Sequence, residues 1–361
     1  MNIESVQVIP YRRALPRPIT TAHGQYRERE GIVLILRDES GRVGIGEAAP
    51  LAGVSTDTFA ECAAALSGLM TAGRSRLDPA HWFSDFSHPI ISMPPAARFA
   101  VACALGELKA KSVGLSLCRT LSGEETCARV PINGLLSGAT VGETQTRATA
   151  LAAAGYHVFK LKVGYDSPFD DVRRIIAACE AAPDVLLRLD ANAGWTAAWA
   201  EDVLSRIPLE RLDFIEQPFP RGQWEAAQAL AHRFGIRLAL DEEIQTIAEA
   251  DHLIAQRACD VLVLKPMVIG HLYQCFVTAR RAQQAGMQVI YTSSWESDIG
   301  VAATLHLAAA LGPHPPAMGL STAGMIADGI LRTPLAIDSG YLAVPDGPGM
   351  GVEPVEELLA D

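Results

Sequence analysis

His157-Val-Phe-Lys160-Leu-Lys162-Val-Gly164 reads as a short β-strand, because Val158, Phe159, Leu161 and Val163 are strand formers and Gly164 ends the run. Side chains two apart on a strand share a face, so Lys160 and Lys162 point one way and Phe159 and Leu161 the other. Taken alone, the two lysines also fit a solvated edge strand, since exposed lysines are common. Working outward removes that reading. Asp190 ends Leu187-Arg-Leu-Asp190, Glu216 ends Leu212-Asp-Phe-Ile-Glu216, Asp241 ends Arg237-Leu-Ala-Leu-Asp241, and Lys265 ends Asp260-Val-Leu-Val-Leu-Lys265. Steps of 28, 26, 25 and 24 residues separate positions 162, 190, 216, 241 and 265, and each step is one strand–helix unit. Five successive strands thus end in a charged residue at the end where barrel active sites are built.

The surrounding chain carries the same rhythm. Candidate strands fall at 129–133, 158–163, 185–190, 212–216, 237–241, 260–265, 287–292 and 316–320, with amphipathic helical stretches between them such as 170–181 and 197–206. Eight such units predict a (β/α)8-type barrel over residues 127–325. Before it lies an α+β module, 1–126. It has strands at 3–12, 31–37 and 43–47 and alanine-rich helices at 56–72 and 94–111. A polar stretch around 18–27, with Thr20, His23, Gly24 and Tyr26, reads as a mobile lid loop. Gly44-Ile-Gly46-Glu-Ala-Ala49 matches a dinucleotide-binding pattern loosely, but Pro50 follows at once and no βαβ unit surrounds it, so it is set aside as a turn. Residues 326–361 cannot form another strand–helix unit and are expected to pack back on the first module.

The chain has 361 residues, 49% hydrophobic and 20% charged, enough for a large core. Its net charge of −11 argues against nucleic acid and anionic membrane surfaces. It leaves open a locally positive site for a small anionic carboxylate substrate. The start Met1-Asn-Ile-Glu-Ser5 lacks the pattern of a secretion signal, and no apolar run is long enough to span a bilayer. Seven scattered cysteines with no Cys-x-x-Cys pair fit free thiols, so a cytoplasmic protein is expected. The sequence leaves room for a homo-oligomer.

The residue types point to chemistry. Asp190, Glu216 and Asp241 are hard oxygen donors on three adjacent strands and suit Mg2+, with Mn2+ as a substitute ion. Without His or Cys in these motifs, zinc is disfavoured. Lys162 and Lys265 approach from opposite sides of the barrel, where a metal-bound carboxylate would present its α-carbon to both.

Together, Phe159-Lys-Leu-Lys162, Asp190-Ala-Asn192, Glu216-Gln-Pro218, Asp241-Glu242 and Lys265-Pro266 resemble the enolase superfamily, muconate-lactonizing subgroup, over nearly the whole chain. That resemblance implies a capping module closing over the barrel mouth and Asp190, Glu216 and Asp241 as metal ligands. It further implies Lys162 as the acid/base, Lys265 as its partner on the other face and Lys160 as an electrostatic helper. Asn192 and Glu242 would support these groups from behind. Arg188-Leu-Asp-Ala-Asn-Ala-Gly-Trp195 and Tyr291-Thr-Ser-Ser-Trp-Glu296-Ser-Asp-Ile-Gly300 are most similar to the o-succinylbenzoate synthase family. This implies substrate contacts from Arg188, Ser293, Ser294 and Glu296; Thr20 and Tyr26 on the lid are further candidates for touching substrate. The implied reaction is a syn dehydration of a succinyl-hydroxycyclohexadiene carboxylate to 2-succinylbenzoate, a step of menaquinone biosynthesis. The alternatives are 1,1-proton transfer, as in N-succinylamino acid racemases and dipeptide epimerases, and, less favoured, a non-catalytic barrel that binds Mg2+ and a carboxylate. Dipeptide epimerases usually carry an Asp-x-Asp pair late in the barrel; the nearest approach here is Glu296-Ser-Asp298.

Overall fold

The computed structural model describes residues 2–21, 24–72, 77, 92–137, 140–326 and 330–359; some side chains within these spans, Thr20 among them, lie outside the description. The first module is an antiparallel sheet of β1 (Ile3–Thr21), β2 (Gly24–Asp38) and β3 (Val43–Ala48), in that order. Helices α1 (Phe59–Ala72), α2 (Pro95–Ser112) and α3 (Leu117–Ser122) follow. The expected lid loop is instead the end of a β-ladder. β1 and β2 pair through Ile19↔Tyr26, Thr20↔Gln25 and Thr21↔Gly24 after a register shift beyond Ala14. Main-chain bonding of the two strands continues across the polar stretch because polar side chains do not prevent a ladder. His23 lies outside the described residues.

The Gly44-x-Gly46 stretch also departs from expectation. It lies inside β3, and α2 packs directly on it. A Cβ at Gly44 would collide with the carbonyl oxygen of Ala104, and one at Gly46 with that of Ala100. These glycines permit a helix backbone to touch a strand backbone.

A short β4 (Arg129–Pro131) leads into the barrel strands β5 (Gly134–Leu136), β6 (Val158–Lys162), β7 (Leu186–Asp190), β8 (Leu212–Glu216), β9 (Leu238–Leu240), β10 (Val261–Leu264) and β11 (Gln288–Tyr291). Seven of these, β5 to β11, form one parallel sheet in chain order. The candidate strand at 129–133 is divided. Arg129–Pro131 pairs antiparallel with a later strand, Ile132 bridges the eighth barrel segment at Met318, and the parallel ladder with β6 begins only at Gly134. Pro131 has no N–H to extend a ladder, so the chain changes partners there.

The expected eighth strand survives as two bridges that join the sheet's edges. Gly319 N donates to Tyr291 O at 2.9 Å and Ser293 N to Gly319 O at 3.1 Å; on the other side Met318 N donates to Pro131 O at 2.8 Å and Asn133 N to Met318 O at 3.0 Å.

Outer helices α4 (Val141–Ala153), α5 (Pro168–Ala181), α6 (Ala197–Leu204), α7 (Trp224–Phe234), α8 (Ile247–Gln256), α9 (Pro266–Ile269), α10 (Leu272–Gln284) and α11 (Asp298–Ala309) cover the sheet. Their starts are written locally. Ser167 caps α5 by accepting from Asp170 N, Pro168 sits at its first position, and Thr246 and Glu249 form a capping box on α8. The C-terminal chain adds β12 (Ile337–Asp338) and β13 (Tyr341–Ala343), antiparallel to each other, and β13 pairs with β4. It then returns to the first module, where Leu117 N donates to Gly349 O at 2.7 Å. All seven cysteines are free thiols, and among the described residues no helix is long and apolar enough to cross a membrane.

Candidate active site at the barrel mouth

β6 alternates as its sequence dictates: Phe159 and Leu161 are fully buried against the helices, while Lys160 and Lys162 face inward. Parallel register aligns the next strands with them, pairing Lys162 with Asp190 and Asp190 with Glu216. Asp241 and Lys265 each stand one residue beyond their strands, β9 and β10. Turning the chain so sharply at this rim takes unusual backbone. Asn192, Ala193, Gln217 and Trp295 all have positive φ, 42°, 62°, 37° and 65°, in the loops after β7, β8 and β11. Strained non-glycine residues of this kind concentrate at functional sites.

The charges interlock. Lys160 Nζ lies 3.0 Å from Asp190 Oδ2 and 2.8 Å from Glu216 Oε1. Lys162 Nζ donates to Asn192 Oδ1 at 2.7 Å and stands 3.8 Å from Asp190 Oδ2; with 26% of its side chain exposed it is the most accessible of the three lysines. Lys265 Nζ is paired with both carboxylate oxygens of Asp241. Asn192 Nδ2 donates to Glu242 Oε1 at 3.0 Å, and Gln217 Oε1 accepts from Asp241 N at 3.2 Å. Burial would lower the pKa of Lys160, but Asp190, Glu216 and Asp241 outweigh it and raise it; Asp241 and Glu242 do the same for Lys265. Burial and the like charges of Asp190 and Asp241 push Glu216 up to about 8. Asp190 is held low by Lys160 and Lys162 against its own burial.

Asp190, Glu216 and Asp241, 1%, 1% and 4% exposed, are three hard oxygen donors, with Glu242 Oε2 buried beside them and without a partner among the described residues. As the side chains stand, no three acidic, His or Cys groups among the described residues are gathered closely enough to hold an ion. The ammonium groups of Lys160 and Lys265 sit on these carboxylates instead. By donor chemistry alone, the carboxylate oxygens are of the kind that a hard divalent cation takes.

A cavity of about 380 Å3 opens here, lined by Lys160, Lys162, Asp190, Asp241, Glu242 and Lys265, with Asn192 at its edge. Ser293 and Ser294 line its β11 side. The sequence did not single out Asn133 and Thr322, which join the wall, or Gly53 and Val54, which the first module contributes. No local pattern marks such residues, because they arrive from separate elements.

Other candidates stand elsewhere. Arg188 is 2% exposed and does not line the cavity; it pairs with Asp213 at 2.8 Å and donates to Asn133 Oδ1 at 3.3 Å, so it reaches the pocket only through Asn133. It stands level in the sheet with Lys160, which does line the cavity, but its guanidinium is taken up by Asp213, Asn133 and Ala317 O. Glu296 is buried behind the wall, where Oε2 accepts from Ser294 N. Positive φ at Trp295 turns the indole to the cavity and Glu296 away from it. Tyr26 donates to Ala52 O at 2.8 Å and does not line the cavity. The side chain of Thr20 lies outside the description.

Residues 143–358 match the family described as enolase C-terminal domain-like. The chain is 32% identical to an o-succinylbenzoate synthase of Thermosynechococcus vestitus, covering 82% of this chain and 86% of that protein. It is 27% identical to the chloromuconate cycloisomerase CbnB of Cupriavidus necator, covering 98% and 96%. A crystal structure of a dipeptide epimerase from Methylococcus capsulatus, complexed with Mg and the dipeptide L-Arg-D-Lys, superposes with a TM-score of 0.83 at 28% identity, over 98% of this chain and all of that one. With a capped barrel, charged strand ends in register and these relatives, the chain belongs to the enolase superfamily, in its muconate-lactonizing subgroup.

Proposed function

We propose that the protein is a Mg2+-dependent o-succinylbenzoate synthase. It would dehydrate 2-succinyl-6-hydroxy-2,4-cyclohexadiene-1-carboxylate to 2-succinylbenzoate, a small anionic substrate and product. The observation that carries this reading is the cavity's composition. Two lysines from opposite strands face a carboxylate cluster, and the wall between β11 and the eighth segment is neutral, built of Ser293, Ser294 and Thr322. A dipeptide brings a free ammonium, which calls for a carboxylate on the wall that receives it. Position 321–323 is Ser-Thr-Ala, and Asp298 is spent on Gly324 N and Leu335 N, both at 2.8 Å. The o-succinylbenzoate synthase relative, at 32% identity, supports the same choice.

Asp190, Glu216 and Asp241 would hold the ion. When bound, Mg2+ offsets negative charge that develops on the substrate carboxylate. Lys162 takes the proton from the ring carbon bearing that carboxylate, and the C–H electron pair moves into the ring. The hydroxyl leaves from the same face, and Lys162 returns the proton to it, so water departs and the ring becomes aromatic. Lys265 stabilises charge from the opposite face without transferring a proton, and Asn192 orients the Lys162 amine.

The test is to follow loss of diene absorbance with purified protein and Mg2+. Turnover that EDTA abolishes and Mg2+ restores, and that Lys162→Ala lowers by at least about 1000-fold, is expected. A folded, metal-supplied protein that leaves the diene untouched would overturn the proposal. Racemisation of N-succinylamino acids is the second reading, because the same two lysines would serve it. There both must transfer protons, so Lys265→Met would abolish deuterium incorporation from one face only.

A further inference from the structure

We propose that Asp171, on the first turn of α5, is a positioning residue for Lys162. The proposal rests on the reading of Lys162 as the acid/base. Two rim loops must be held for that lysine to work: 163–167, which follows it, and 191–196, which carries its partner Asn192. The sheet ladder holds only part of each: Val163 N donates to Asp190 O at 2.9 Å and Ala191 N to Glu216 O at 3.1 Å. Ala193 N and Trp195 N reach the loop after β8 at Gln217 O and Pro218 O, at 2.8 and 3.0 Å. Both rim loops use left-handed backbone, Gly164 at φ 87° and Asn192 and Ala193 at 42° and 62°. They pack back to back, so that a Cβ on Gly194 would stand 2.9 Å from Ala191 O and 3.2 Å from Gly164 O.

One buried carboxylate ties them together. Asp171 is 2% exposed, and its Oδ2 accepts three N–H groups: Gly164 N at 2.9 Å, Trp195 Nε1 at 3.2 Å and Trp199 Nε1 at 2.9 Å. Its other oxygen faces Arg174 at 3.4 Å, and the Arg174 guanidinium donates to the main-chain carbonyl of Lys162 itself. The carboxylate therefore fixes the chain just after the Lys162 Cα, at Gly164 N directly and at the Lys162 carbonyl through Arg174, and, through Trp195, the loop that carries Asn192. The two indoles are donors aimed at one oxygen. A carboxylate suits this junction because each oxygen accepts several bonds, and charge-assisted bonds are the stronger kind. A lysine side chain has four rotatable bonds, so only a fixed Cα and a fixed partner can place its amine. Misplacing a reacting group by about 1 Å can cost about 100-fold in rate.

The experiment compares wild type with Asp171→Ala, Asp171→Asn and Trp199→Phe, the last losing one donor while keeping an aromatic ring. Backbone amide hydrogen exchange over 162–167 is read in the ion-free protein. Turnover of the succinyl-hydroxycyclohexadiene carboxylate, with kcat and KM separated, and Mg2+ affinity are read in the loaded one. Asp171→Ala is expected to speed exchange at Gly164 and to lower kcat by about 10- to 100-fold, leaving KM and Mg2+ affinity unchanged. Asp171→Asn, which keeps an acceptor oxygen, falls between, and Trp199→Phe shows a smaller change of the same kind. Unchanged exchange and kcat in a folded Asp171→Ala protein would overturn the proposal. So would losses spread equally over kcat, KM, Mg2+ affinity and thermal midpoint, in Asp171→Ala and Trp199→Phe alike. Wild-type protein that leaves the substrate untouched overturns the proposed reaction alone, since the exchange comparison needs no turnover.

Discussion

Glu296 shows how residue identity and residue placement separate. Its sequence neighbourhood implies a substrate contact, yet the carboxyl is buried, Oε2 takes Ser294 N and Oε1 has no partner among the described residues. Burial, helped by the nearby Glu47 carboxylate, pushes its pKa up to about 7. A carboxyl raised in the folded state keeps its proton where the unfolded chain has already lost it. Its contribution to stability is full below the unfolded pKa, near 4.5, and is lost as pH rises to about 7. Glu296→Gln keeps the shape and an acceptor for Ser294 while removing the titration. The variant should therefore gain thermal midpoint relative to wild type on going from about pH 5 to about pH 8, as scanning calorimetry at the two values would show. A difference that does not change with pH would mean that Glu296 is ionised throughout. The charged strand ends, by contrast, were legible because strand alternation fixes which way a side chain points. A loop such as 293–297 has no such rule, since one positive φ at Trp295 reverses the order of inside and outside.

Among the elements, the β3–α2 contact carries a sharp prediction. Gly46 meets Ala100 backbone to backbone, and rotation of a side chain cannot make room for a methyl group there. Gly46→Ala should cost about 1–3 kcal/mol in urea unfolding, whereas Gly68→Ala, inside α1 with open space where its Cβ would lie, should be neutral or stabilising. Equal effects at the two positions would remove the packing argument. The same stretch shows what the sequence conceals. Strand-forming runs and their 24- to 28-residue spacing disclosed the barrel, because hydrophobic period follows directly from backbone geometry. Glycines did not disclose whether they serve a turn or a close approach, since either use leaves the same letters. Polar side chains at 18–27 likewise hid a ladder, because β-pairing there is made by main-chain groups.

The whole molecule depends on how the first module is bolted to the barrel, and no periodicity reports that. Glu47, fully buried in β3, accepts from Ser297 N at 2.9 Å, Ser297 Oγ at 2.7 Å, Gly300 N at 2.8 Å and the Tyr11 hydroxyl. Arg29 in β2 donates to Trp295 O at 2.9 Å and, on its own side, to Ala49 O at 2.8 Å and Pro50 O at 3.1 Å. Arg98 in α2 adds bonds to Ile269 O and Gly270 O, both at 2.8 Å, behind Lys265. The β11 side of the cavity is thus held by the module that also supplies Gly53 and Val54. Removing Glu47 leaves four donors without their acceptor, each costing about 1–3 kcal/mol if water does not reach it. Glu47→Ala should accordingly lose about 2–5 kcal/mol in chemical denaturation. Because the loosened loop carries Ser293, Ser294 and Trp295 but neither lysine, KM should rise by more than kcat falls. Arg29→Met should shift the same two quantities in the same direction and by less, since it frees one barrel contact instead of three. A loss of stability with KM unchanged in both variants would show that the bolt holds the two parts together without shaping the pocket between them.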